Sequence, residues 1–231
     1  MKPPRQRPRP KHYEEYAYVL DFMPAGNPSD RHPRHRSGPV AQLVGEDYFT
    51  LMEGVPRPGV VLEVGERVYV GPVVELRDKI VRVEANIGFD ELTSLARSTL
   101  EQVVESIVKR RERVFVEFFN IAAPINIRYH TLELLPGVGR KTVMRILELR
   151  ERKRFESFEE IKKSVHIDPV KVIVARIVEE LKGGQKYYLF VKPPRGEMEQ
   201  PIKPVFFDYL TLIYQRLGRS SLEHEGPAKQ A

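Results

Sequence analysis

The sequence predicts an α+β fold: a small N-terminal β-barrel followed by a helical domain. Two observations predict it. From residue 13 to 88, short runs of β-branched and aromatic residues alternate with polar ones between Gly- and Pro-rich turns. From residue 90 to 184, apolar residues recur instead at threes and fours. The length of 231 residues allows one large or two modest domains, and an apolar fraction of 41% supplies an ordinary core. The chain has no cysteine, which excludes disulfides, Cys-ligated zinc and thiol catalysis. No apolar run is long enough to span a bilayer, and no apolar segment follows the basic N-terminus as in a secretory signal. A cytoplasmic protein is expected.

Residues 1–12, MKPPRQRPRPKH, hold almost nothing to bury, and proline blocks helix and ladder bonds. A disordered basic arm is expected there. Lys2, Arg5, Arg7, Arg9 and Lys11 supply five positive charges of a net +6, so the rest of the chain is nearly balanced. The arm reads either as a non-specific phosphate tether or as a solvated tail.

Residues 13–88 read as all-β. Strands are expected over 16–22, 40–44, 48–52, 65–71 and 79–85, with a turn at Gly45-Glu46-Asp47 and a further apolar segment over 60–64. Five or so short strands in about 75 residues fit a small closed barrel of the OB or S1-like kind. Between the first two strands lies DRHPRHR, residues 30–36. Arg31, Arg34 and Arg36 make it a candidate phosphate-contacting loop, with a solvated loop as the alternative. A metal site of Asp30, His32 and His35 is disfavoured by the proline between the histidines. Tyr48, Phe49 and Tyr69 would stack on unpaired bases if they face outward, and fill the barrel core if they face inward.

Residues 89–125 are expected to connect the two parts. A helix over 90–113 ends in Lys109-Arg110-Arg111-Glu112-Arg113, where basic residues suit a helix C-terminus without any partner. Residues 114–119, VFVEFF, then read as a strand.

Residues 126–184 begin with NIRYHTLELLPGVGRKTVMRILELRER, two short helices joined by a tight glycine hairpin. Leu132 and Leu135 give the first helix its apolar face, and Pro136 stops it. Gly137 and Gly139 allow backbone angles that a side chain resists. The first-turn N–H groups of the second helix then point outward beside Arg140 and Lys141, a small anion site. Leu135-Pro136-Gly137-Val138-Gly139-Arg140-Lys141-Thr142 resembles the helix-hairpin-helix motif of non-sequence-specific nucleic-acid-binding proteins, in which such a turn holds a backbone phosphate. The motif has alanine where this chain has Val143, which bears on how closely the two helices pack. The same modules elsewhere make protein–protein contacts, so a hairpin that only packs is the alternative. Apart from its tail, the chain resembles an uncharacterised archaeal family of predicted RNA-binding proteins that join an OB-like barrel to such a module.

A second, degenerate hairpin follows. Ser157-Phe158-Glu159-Glu160 is a capping box, Val165-His166-Ile167 replaces the glycine turn, and Asp168 and Pro169 open the next helix. Gly183-Gly184 ends that helix. Residues 185–192 hold a closing strand whose expected partner is 114–119. Residues 193–231 comprise a proline-rich linker, a short amphipathic helix and a tail. The helix would pack back on the body or dock a protein partner.

No P-loop, dinucleotide fingerprint, nucleophile elbow or His/carboxylate cluster at ligand spacing is present, and no cofactor is expected. The expected function is therefore non-catalytic nucleic-acid binding through Gly137, Val138, Gly139, Arg140, Lys141 and Thr142 and through the barrel. RNA is favoured over DNA by the barrel type and the family resemblance. An adaptor in a ribosomal or RNA-processing assembly is the alternative, and a divergent nuclease stands behind both.

Overall fold

The computed structural model describes residues 13–28 and 36–218. The arm, the tail from residue 219, and residues 29–35 with Arg31 and Arg34 lie outside them. The chain opens with five antiparallel strands, β1 (Tyr16–Met23), β2 (Val40–Gly45), β3 (Leu51–Pro56), β4 (Arg67–Tyr69) and β5 (Ile80–Asn86), in the sheet order β4-β1-β2-β3-β5. Irregular register in β1 and in the β3–β5 pairing curls the sheet. The curl stops short of closure: β4 and β5 are its two edges, and the expected closed barrel is a half-barrel. With only three residues, β4 is too short to complete a ladder. Side chains bridge the gap instead. The Arg77 guanidinium donates to the carbonyls of Val70 (3.0 Å) and Gly71 (2.8 Å) next to β4, and of Val81 (3.1 Å) in β5. Lys79 pairs with Glu66 beside it. The apolar run over 60–64 is loop, with Leu62 in the sheet's inner core and Val61 and Val64 exposed.

Strand alternation sends Ala17, Val19, Leu43 and Val68 to the concave face, and Tyr18, Leu20 and Val44 to the helices. Covered on both faces, β2 is buried along its whole length. The loop after β2 is gripped by Glu14, whose carboxylate accepts from the N–H groups of Asp47 (2.8 Å), Tyr48 (3.1 Å) and Thr50 (3.0 Å). Gly45 is required there, because a β-carbon would collide with that carboxylate.

The helix expected over 90–113 is α1 (Ser94–Arg110), capped by the Thr93 hydroxyl, which accepts from Ala96 N–H at 3.0 Å. The chain breaks at Arg111 and continues as α2 (Glu112–Ile121). Residues 114–119 are thus helical, which corrects the expected strand. Val114 through Phe119 are all buried. A helix surrounded by neighbours carries apolar residues all round, and its sequence then looks like a buried strand.

Next come a small ribbon of β6 (Pro124–Asn126) and β7 (Tyr129–His130), a 3-10 turn (Thr131–Leu134), α3 (Arg140–Arg152), α4 (Phe158–Val165) and α5 (Pro169–Lys182). The strand expected over 187–191 shrinks to β8 (Tyr187–Tyr188). The reason is Glu180, fully buried on α5. Its carboxylate accepts from the N–H groups of Leu189 (2.6 Å), Phe190 (2.9 Å) and Val191 (2.8 Å), the donors a longer strand would spend on a ladder. After α6 (Arg195–Met198), β9 (Val205–Phe206) pairs parallel with β8, taking the place expected for 114–119. The final helix, α7 (Tyr209–Leu217), packs back on the body with Tyr209, Leu210, Ile213 and Tyr214 buried. Among the described residues no helix is long and apolar enough to cross a membrane.

Candidate nucleic-acid interface

The glycine turn before α3 is anchored from below. Leu132, Leu135, Val138, Val143 and Ile146 are buried in the helical core. Its first arm is one 3-10 turn instead of the expected α-helix. His130 and Glu133 close that turn locally: His130 Nδ1 accepts from Leu132 N–H at 3.1 Å, and Glu133 Oε1 accepts from His130 N–H at 2.9 Å. With Nδ1 used as acceptor, the His130 proton sits on Nε2, which is buried without a partner among the described residues. Burial, then the charge of Arg150, lowers the His130 pKa.

Gly137 has φ 80°, the left-handed region that favours glycine. Gly139, at the N-cap of α3, does not: its φ of −91° and ψ of 173° are ordinary extended backbone. Its lack of a side chain matters for space instead. A β-carbon at either glycine would meet nothing within 4 Å, so the turn lies open. No side chain caps α3 and no acid stands in its first turn. Arg140 and Lys141 are exposed, and neither side chain makes a hydrogen bond or ion pair among the described residues. Thr142 is half-buried. Val138 is buried, and its N–H donates to the Leu135 carbonyl at 3.0 Å, so it is a packing residue of the turn.

The turn between α4 and α5 has the opposite electrostatics. Ser157 caps α4, and His166 takes the left-handed turn position with φ 61°. At the start of α5, the Asp168 carboxylate accepts from Lys171 N–H at 3.2 Å. A carboxylate already occupies the place an anion would take.

The barrel aromatics resolve to the core. Tyr48, Phe49 and Tyr69 are all buried, which corrects them as stacking candidates. Glu14's grip on the loop directs Tyr48 edge-on to Tyr214 (5.5 Å between centroids) and Phe49 towards Phe115 (6.2 Å). Tyr69 meets Tyr16 edge-on at 5.3 Å. Arg36 is exposed. Half-buried rings with open surface lie elsewhere, at Tyr129 and Tyr187. They are far apart in sequence, and no local signal joins them.

A family model described as a protein of unknown function (DUF655) matches residues 13–192, most of the chain. The chain belongs to the DUF655 family. Among its relatives is the uncharacterised protein MJ0038 of Methanocaldococcus jannaschii, 44% identical over 190 residues that cover 81% of this chain and 84% of that one. The crystal structure of the DUF655 protein Af1531 from Archaeoglobus fulgidus is similar at a TM-score of 0.69 and 45% identity, covering 78% of this chain and 100% of that chain. Both DUF655 relatives come from archaea. The family match ends before β9 and α7.

Proposed function

We propose that this DUF655 protein is a non-catalytic nucleic-acid-binding protein, with RNA favoured over DNA, that holds a backbone phosphate at a helix-hairpin-helix turn before α3. The observation that supports the reading is the open N-terminus of α3. Its first-turn amides meet no capping side chain, two glycines leave room above them, and the Arg140 and Lys141 side chains beside them make no ion pair among the described residues. Amides and the helix dipole attract an anion there. Contacts of this kind position a strand without reading its sequence. The Asp168-capped start of α5 offers no equivalent.

The test is fluorescence anisotropy with mixed-sequence single-stranded RNA over a salt series. Replacing Arg140 and Lys141 together with alanine should weaken binding to every sequence. The slope of log affinity against log salt should flatten by about 0.7 per lost contact. Unchanged affinity and slope would overturn the proposal.

A second reading, a protein-docking adaptor, is favoured by Val61, Val73, Val74 and Leu76, exposed in the loops flanking β4. Under it, Val74→Lys with Leu76→Lys would release a co-purifying assembly and leave RNA affinity unchanged.

A further inference from the structure

Three aromatic rings from separate segments meet side by side at the surface. Tyr129 comes from β7, Tyr187 from β8, and Phe207 follows β9. Ring centroids are 6.3 Å apart between Tyr129 and Tyr187, and 6.1 Å apart between Tyr187 and Phe207. All three are half-buried, so each residue keeps part of its surface open to solvent. Phe207 is held by its own N–H, which donates to the Tyr188 carbonyl at 2.9 Å, and its ring lies 6.2 Å from that of buried Tyr209.

One cation lies against this row, and a second precedes it in sequence. Lys186 Nζ lies 5.2 Å from the centroid of the Tyr187 ring. Arg128 precedes Tyr129 in the β6–β7 turn, which is pinned by Asn126 Oδ1 accepting from Arg128 N–H at 2.9 Å. Neither the Arg128 nor the Lys186 side chain makes a hydrogen bond or ion pair among the described residues.

We propose that Tyr129, Tyr187 and Phe207, together with Lys186 and Arg128, form a platform on which unpaired bases of a nucleic-acid strand stack. The proposal rests on the nucleic-acid reading above and gives the bases a place that the phosphate-holding turn does not. Every base has a π-face, so an aromatic row accepts any sequence. Paired bases inside a duplex keep those faces covered, so the platform selects single strands. Charge complementarity chooses the occupant: Lys186 over the Tyr187 ring and exposed Arg128 next to Tyr129 in sequence suit a chain that carries phosphates between its bases, and give an apolar peptide nothing. Phe207 lies beyond the residues matched by the family model, so the platform joins the family body to its C-terminal extension.

The test compares the full chain with Tyr129→Leu and Tyr187→Leu, which keep apolar volume and lose the ring, and with Tyr129→Phe and Tyr187→Phe, which keep it. Oligoadenylate and a duplex RNA of equal length serve as probes at one salt concentration. Each leucine variant should bind oligoadenylate roughly 5–150-fold more weakly, with duplex affinity unchanged and the phenylalanine variants like the parent. Equal oligoadenylate binding by parent and leucine variants would overturn the platform, as would an equal loss on duplex. A co-purifying protein lost in the leucine variants at unchanged RNA affinity would assign the row to a protein and overturn it too. Should a leucine variant fail to fold, the parent chain still decides: 2-aminopurine within the oligonucleotide must change its fluorescence on binding as it stacks, and no change rejects the platform. If the parent binds no RNA, both readings fall. If only the Arg140 and Lys141 replacement weakens binding, the platform alone falls.

Discussion

Gly137 and Gly139 are two residues apart and do different work. At Gly137 the backbone sits at φ 80°, where a β-carbon crowds the neighbouring carbonyl. Gly137→Ala should therefore destabilise the protein by about 1–2 kcal/mol in urea unfolding. Gly139 is extended and its surroundings are open, so Gly139→Val should cost only what a poorer N-cap residue costs, about 0.5–1 kcal/mol. The new side chain would still stand over the α3 amides and weaken RNA binding, which separates the shape of the turn from access to it. Glu14 invites a test in pH. Burial first, then the charge of Asp47, pushes its pKa up to about 7 from 4.5. A carboxyl with a raised native pKa binds its proton more tightly when folded. Its contribution to stability is thus greatest below pH about 4.5 and falls as pH rises towards 7. The urea midpoint of the parent should decline relative to Glu14→Gln across that window, and parallel curves would contradict the assignment.

A buried polar knot joins three segments that share no ladder. The loop after β2, the α1–α2 junction and α7 meet where Arg111 pairs with Asp47 and the Tyr214 hydroxyl donates to the Asp47 carbonyl at 2.7 Å. The Arg111 guanidinium lies 3.4 Å from the same hydroxyl. Tyr214→Phe should cost about 1–2 kcal/mol for the buried bond. Arg111→Met removes one half of a buried ion pair and should cost about 3–5 kcal/mol. The double variant should fall short of the sum, because the two side chains share a partner. Urea unfolding of the three proteins measures this, and full additivity would show the contacts to be independent.

On the scale of the whole molecule, the question is where charge acts. Residues 1–12 carry five positive charges of a net +6. Charges on a basic arm raise encounter rate and non-specific affinity without setting register, and are screened by salt. Deleting residues 1–12 should therefore weaken RNA binding mainly at low salt and leave the melting temperature unchanged. If the deletion abolished binding at physiological salt, the turn before α3 would not be the principal phosphate contact.

By itself, the sequence determined what neighbouring residues decide. The strand β1, the helix after Gly139, the capping of α4 by Ser157 and of α5 by Asp168, and the turn at His166 follow from side chains within a few positions of one another. The tertiary structure alone decided what depends on distant partners. VFVEFF became α2 because other elements cover it all round, and burial on every side erases the period that tells helix from strand. Residues 189–191 lost their ladder to the Glu180 carboxylate, and β8 took its partner from the extension. Tyr48, Phe49 and Tyr69 faced the core while Tyr129, Tyr187 and Phe207 kept open surface, a difference no residue type encodes. Backbone angles and caps are set by local sterics and local hydrogen bonds. Which face is covered, and which donor finds which acceptor, is settled only when segments far apart in the chain compete for the same contacts.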